Sequence, residues 1–145
     1  MSFKQEITDL IIMASAYTGK PLTLKDFMIV YQPLGHKPLK LPSGKMAVYT
    51  FVYNGDFLKI GQANQNSNAR YQSHPYNVGS AKSTLAKSLL KDPSMSSLVN
   101  ANNVNQWIKD NCERFDVIID AKHQKVALNF IEGLLHYKYN PKYEG

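Results

Sequence analysis

Met46-Ala47-Val48-Tyr49-Thr50-Phe51-Val52-Tyr53-Asn54-Gly55-Asp56-Phe57-Leu58-Lys59-Ile60 is the stretch on which the fold turns. Two runs rich in β-branched and aromatic residues, Met46–Tyr53 and Asp56–Ile60, flank Asn54-Gly55, the strongest short-range hairpin signal. The turn length decides which side chains meet. A two-residue turn pairs Tyr53 with Asp56 and sends Tyr49 and Lys59 to opposite faces. A three-residue loop, Tyr53-Asn54-Gly55, with the glycine in a left-handed bulge position, pairs Val52 with Asp56. Tyr49 then lies directly opposite Lys59, with β-carbons about 4.5–5.5 Å apart. If these two residues act together the three-residue loop is required, and the hairpin is read that way.

Outward from the hairpin, Phe3, Ile7, Leu10, Ile11 and Ala14 recur at helical spacing, so residues 3–16 read as an amphipathic helix stopped by Gly19-Lys20-Pro21. Thr23 reads as the cap of a second short helix over Leu24–Tyr31, with Asp26 at its third position. Three prolines and two glycines between Pro33 and Lys45 disfavour any regular element there. Past the hairpin, Asn64–His74 suits a short exposed helix. Ser80 reads as the cap of a helix burying Leu85, Leu89 and Leu90 and ending at Asp92-Pro93, and residues 102–112 read as helical. Phe115–Ile119 is a short buried strand. Lys122–Tyr137 is the longest helix, with Ala127, Phe130, Ile131, Leu134 and Leu135 on its apolar side, and Asn140-Pro141 ends it. The expected fold is α+β, a small three-stranded antiparallel sheet flanked by helices. Residues 1–45 form an N-terminal helical extension and linker, and 46–145 the main domain.

With 145 residues, 43% of them hydrophobic, the chain suits one compact domain. It has no apolar run of about 18 residues to span a bilayer, and no secretory signal. Its one cysteine, Cys112, permits no intrachain disulfide. Together these suggest a soluble, cytoplasmic protein. Of 17 cations, eight lie between Lys37 and Lys91 against one acid, Asp56, while the other nine face ten acids. A positive field so concentrated suits a polyanion such as DNA.

Several residues then fall into an ordered set: Ala47-Val48-Tyr49 at the end of one strand, Lys59-Ile60-Gly61 ten residues later, Arg70 and His74 four apart, Glu132 on a later helix, and Asn140 last. The set resembles the GIY-YIG nuclease superfamily over roughly Met46 to Asn140. Ala47 stands where the family's first motif has glycine. Lys59 stands where most members carry tyrosine, and a lysine there is similar to a branch that includes restriction endonucleases. The resemblance implies a metal-dependent DNA endonuclease that hydrolyses phosphodiester bonds. It implies one divalent cation, Mg²⁺ or Mn²⁺, held by Glu132 with water in the other positions. Arg70 would clamp the phosphate. Tyr49 would orient the attacking water or take its proton, and Lys59 would lower the Tyr49 pKa or itself be the base. His74 would relay a proton or bind phosphate. A palindromic double-strand cutter would be expected to act as a homodimer.

Other patterns compete. Ser80-Ala81-Lys82-Ser83-Thr84 lacks the glycines of a phosphate-binding loop. Cys112 and the histidines at 36, 74, 123 and 136 lack zinc spacing. Asp116, Asp120 and Lys122 fit a different nuclease cluster, which would move the metal to the aspartates. Lys125, Asn129, Glu132 and His136 share a helical stripe that, read alone, is a solvated face with a Glu132–His136 contact. A non-catalytic nucleic-acid-binding module on the same scaffold is the alternative function.

Overall fold

The computed structural model describes residues 2–79 and 84–143. Four antiparallel strands form one sheet in the order β1-β4-β2-β3: β1 (Phe27–Gln32), β2 (Lys45–Tyr53), β3 (Asp56–Ala63) and β4 (Arg114–Asp120). Helices cover both faces: α1 (Phe3–Ser15), α2 (Asn68–Gln72), α3 (Leu85–Lys91), α4 (Val104–Asn111) and α5 (Gln124–Tyr139). The class is α+β, as expected, but the sheet has a fourth strand.

That strand comes from the segment read as a helix over Leu24–Tyr31. Burial along Phe27–Gln32 largely alternates, with Phe27 and Ile29 buried and Met28 exposed, which is the period of a strand. Thr23 and Asp26 do interact, but Asp26 Oδ2 accepts from the Thr23 amide at 2.7 Å and its hydroxyl at 3.1 Å. The pair closes a tight turn, and the β-branched and aromatic run after it pairs with β4, Phe27 opposite Ile119 and Gln32 opposite Arg114.

Alternation along the strands divides the core in two. Met46, Val48 and Val52 of β2 join Ile7 and Ile11 of α1 and Leu128, Ile131 and Leu135 of α5. Ala47, Tyr49 and Phe51 face the other way, onto Tyr71 of α2, Leu85 and Leu89 of α3, and Val104 and Ile108 of α4. The cap of α3 is Thr84, whose hydroxyl accepts from the Lys87 amide at 3.1 Å. Ser80, expected in that role, lies outside the described residues. The helix read over Asn64–His74 is shorter and less exposed than expected: α2 holds five residues, Tyr71 in it is fully buried, and His74 begins a separate 3₁₀ turn. Among the described residues no helix is long and apolar enough to cross a membrane.

The hairpin corrects the expected register. Asn54 and Gly55 both have positive φ, 51° and 83°, so they form a two-residue turn pairing Tyr53 with Asp56. A bulge follows: Val52 pairs with Phe57 but Phe51 with Lys59, leaving Leu58 as the extra residue. Leu58 packs into the α2–α4 side of the core. Beyond the bulge Tyr49 pairs with Gly61, so Lys59 lies diagonal to Tyr49 and on the same face. Diagonal neighbours stand about 7–8 Å apart at Cα, within reach of long side chains.

Between β2 and β4 the ladder is interrupted at Thr50. Its hydroxyl donates to the Phe115 carbonyl and accepts from the Phe115 amide, both at 2.9 Å, while the Thr50 amide donates to Asp116 Oδ1 at 3.1 Å. Asp116 and Arg114 form a fully buried ion pair, Nε to Oδ2 3.1 Å. Lys45 and Asp120, at the far end of β4, form a half-exposed one at 3.6 Å. Breaking the two will differ sharply. Arg114→Met strands a buried carboxylate and should lower stability by about 3–5 kcal/mol. Lys45→Ala should cost under about 1 kcal/mol. Urea denaturation of the two variants measures both, and equal losses would contradict the assignment of the first pair to the sealed core.

Candidate active site

The hairpin supplies the two innermost residues. Tyr49 is 5% exposed, and its ring lies across Gly61 on the neighbouring strand. A Cβ added at Gly61 would stand 2.5 Å from the Tyr49 Cζ, so the ring and any side chain there exclude each other. Glycine at 61 is therefore what allows the Tyr49 hydroxyl to cross β3 toward the free edge of the sheet. Lys59, also 5% exposed, rises from the same face after the bulge.

Two distant elements bring opposite charges to this pair. Arg70, exposed on α2, and Glu132, half-buried on α5, both act electrostatically on Tyr49 and on Lys59. Burial raises the Tyr49 pKa above its ordinary value, Arg70 and Arg114 pull against that, and Glu132 adds to it. Burial also lowers the Lys59 pKa, with help from the Arg70 charge and opposition from Glu132. Both shifts favour the neutral form, so the site keeps a neutral phenol and eases an amine toward its neutral state.

Glu132 reaches the site because α5 runs along β3. Its stripe of polar residues is exposed at Lys125 and Asn129 and half-buried at Glu132 and His136. The Gln62 amide nitrogen on β3 donates to Asn129 Oδ1 at 2.9 Å and to Glu132 Oε1 at 3.1 Å. His136 Nε2 donates to the Ile60 carbonyl at 3.0 Å. The helix thus holds one backbone carbonyl and one side chain of the edge strand, with Glu132 at the seam. Gln62 was not singled out from the sequence, and Asn129 only as a member of the polar stripe. The only signal for Gln62 was its place directly after Lys59-Ile60-Gly61.

The remaining candidates sit at the ends of elements. His74 is exposed at the start of the 3₁₀ turn, off the helix carrying Arg70. Asn140 is the C-cap of α5, with φ 45°, and its amide donates to the His136 carbonyl at 2.9 Å. An asparagine suits that left-handed position for backbone reasons alone. Of the rival aspartates, Asp116 is locked to Arg114, and Asp120 binds Lys45 and accepts from the Lys122 amide at 2.9 Å. Among the described residues no group of three or more His, Cys, Asp or Glu is placed to hold a metal ion. Each rival aspartate is thus engaged with a cation of its own.

Beneath the site lies a polar network that sequence reading missed. Arg114 Nη1 donates to the Tyr76 hydroxyl at 2.9 Å and Nη2 to the Tyr71 carbonyl at 3.2 Å. Asp116 Oδ2 accepts from Tyr71 and from Gln32, each at 2.9 Å. His36 Nδ1 faces the Pro33 carbonyl at 2.9 Å and must carry the proton there, so Nε2 accepts from the Tyr76 hydroxyl at 2.6 Å. Burial lowers the His36 pKa, consistent with that neutral ring. Burial also pushes the Tyr76 hydroxyl up to about 12. The available signal was two charges of opposite sign, two residues apart, in the otherwise apolar run Arg114-Phe115-Asp116-Val117-Ile118-Ile119.

No family model, curated protein or solved structure matches the chain.

The ring-over-glycine contact has a direct test. Gly61→Ala should destabilise the protein by about 1–3 kcal/mol, the usual cost of overfilling a packed site. In a Tyr49→Val background the same change should cost only a few tenths of a kcal/mol. An equal penalty in both backgrounds, measured by urea unfolding, would show that Tyr49 is not the obstacle.

Proposed function

We propose that the chain is a divalent-metal-dependent DNA endonuclease of the GIY-YIG type. One observation carries the reading: Arg70 and Glu132, 62 positions apart in sequence, both act on Tyr49 and Lys59 of a single hairpin. A phenol, an amine, a guanidinium and a carboxylate can together supply what phosphodiester hydrolysis needs: an activated water, neutralised phosphoryl charge and a stabilised leaving oxygen. The basic central segment supplies the field that draws DNA to them.

The donor set fits Mg²⁺ or Mn²⁺, which favour oxygen ligands. Glu132 offers a carboxylate held at one oxygen, and the amide oxygen of Gln62, the residue that holds it, is buried with no hydrogen-bond partner among the described residues. Glu132 would bind the ion with Gln62 as a second donor, and water and phosphate oxygens would complete the shell. When bound, the cation neutralises charge on the phosphoryl oxygens and steadies the leaving oxygen.

The chain's own groups then divide the work. Arg70, exposed beside the pair, forks onto the scissile phosphate. Tyr49, kept neutral by burial, orients the attacking water through its hydroxyl and is a poor base. Lys59, its pKa lowered, is the better one. The water passes a proton to Lys59 Nζ as its oxygen bonds to phosphorus. The bond from phosphorus to a deoxyribose oxygen breaks, and that oxygen leaves with the electron pair and takes a proton from solvent.

Purified protein incubated with plasmid and Mg²⁺ should cut it, and EDTA should stop the cutting. Binding without cleavage would instead identify a non-catalytic nucleic-acid-binding module. Lys59→Met should abolish cleavage with DNA affinity nearly unchanged, and a fully active variant would exclude Lys59 as the base. The cleavage rate should rise with pH as Lys59 loses its proton, levelling off below the ordinary lysine value of 10.5. A rate that falls with pH over that range would contradict the assignment.

A further inference from the structure

The chain contains only two arginines, Arg70 and Arg114, and both bear on Tyr49. Arg114 is fully buried, its guanidinium carbon 4.7 Å from the Phe51 and Tyr71 ring centres and 5.7 Å from that of Tyr49. Arg70 approaches from the exposed side on α2. A helix of five residues with no side-chain cap has little stability of its own, so contacts elsewhere must fix it. Asn68 accepts from the Leu41 amide at 2.8 Å and Gln72 donates to the Pro38 carbonyl at 3.0 Å, but both bind a loop. Into the sheet, Tyr71 and Tyr76 bond to Asp116, Gln32 and Arg114, and the Arg70 side chain reaches the Tyr49 hydroxyl.

Tyr71 is gripped at both ends. Its hydroxyl donates to Asp116 and its carbonyl accepts from Arg114. Its backbone adjoins that of Arg70, so the grip fixes the point from which the Arg70 side chain departs. We infer that Arg114 and Asp116 are positioning residues, which hold Tyr71 and through it keep Arg70 over the Tyr49 hydroxyl. The inference rests on the reading of Tyr49 and Arg70 as working groups. It explains why an ion pair that is expensive to bury lies under this surface.

Tyr71→Phe removes one hydroxyl and keeps the ring, so it loosens the grip without emptying the core. With ¹⁵N-labelled arginine the protein gives two side-chain Nε–H signals. In Tyr71→Phe the Arg70 signal should acquire the heteronuclear relaxation of a mobile side chain, while that of Arg114 stays rigid. The kcat for plasmid cleavage should fall by roughly tenfold to a hundredfold, the scale of a misplaced group, with DNA affinity retained. In an Arg70→Met background Tyr71→Phe should cause no further loss. An unchanged Arg70 signal, or the same fold loss in both backgrounds, overturns the inference. Absence of cleavage by the wild-type protein would defeat the nuclease reading, and the arginine spectrum would still decide the positioning role.

Discussion

Removing an ion pair from water costs several kcal/mol per charge, and only close geometry with full hydrogen bonding repays it. Arg114 and Asp116 meet that condition. The guanidinium donates to Asp116, Tyr76 and the Tyr71 carbonyl, and the carboxylate accepts from Gln32, Tyr71 and the Thr50 amide. Full burial opposes the Arg114 charge, and Asp116 beside it more than compensates, holding the group above its ordinary pKa. One pair of side chains thereby links β4 to β1, to the open point of β2, to α2 and to the turn after it. Through Tyr76 it also reaches His36 in the irregular segment between β1 and β2. Segments too short to fold alone gain their order from this centre.

The candidate site lies where this rigid face meets the free edge of β3. An exposed edge invites association with other strands. Here the Lys142 and Tyr143 amides donate to the Phe57 and Leu58 carbonyls, while α5 adds His136 on the Ile60 carbonyl and Asn129 and Glu132 on the Gln62 side chain. The carboxylate proposed as the metal ligand is part of that closure. Holding an edge strand and presenting Glu132 are accomplished by the same hydrogen bonds, so the stability of the edge and the geometry of the site are coupled.

How much of this the sequence disclosed depended on the range of the interaction. The hairpin, α1, α5 and β4 are written in local periodicity, and they appear near their expected positions. β1 was hidden because Thr23 and Asp26 form a turn whose side-chain pattern imitates a helix cap. The Asn54-Gly55 turn is two residues long, yet Tyr49 and Lys59 still share a face, because a bulge at Leu58 restores the alternation. No local rule announces that bulge, since core packing of Leu58 selects it. The grouping of Tyr49, Lys59, Arg70 and Glu132 was legible as an ordered pattern of residue types. The separate turn that His74 begins and the cap that Asn140 forms were not, because a break in a short helix and a left-handed cap are settled by backbone geometry.

The bulge has a consequence for how the protein comes to be correct. Were the hairpin to zip without it, every side chain beyond Leu58 would change sides: Lys59 would turn into the layer that holds Phe57, and Ile60 would turn toward Tyr49. One extra residue in a strand thus decides whether nitrogen or hydrocarbon stands beside the phenol.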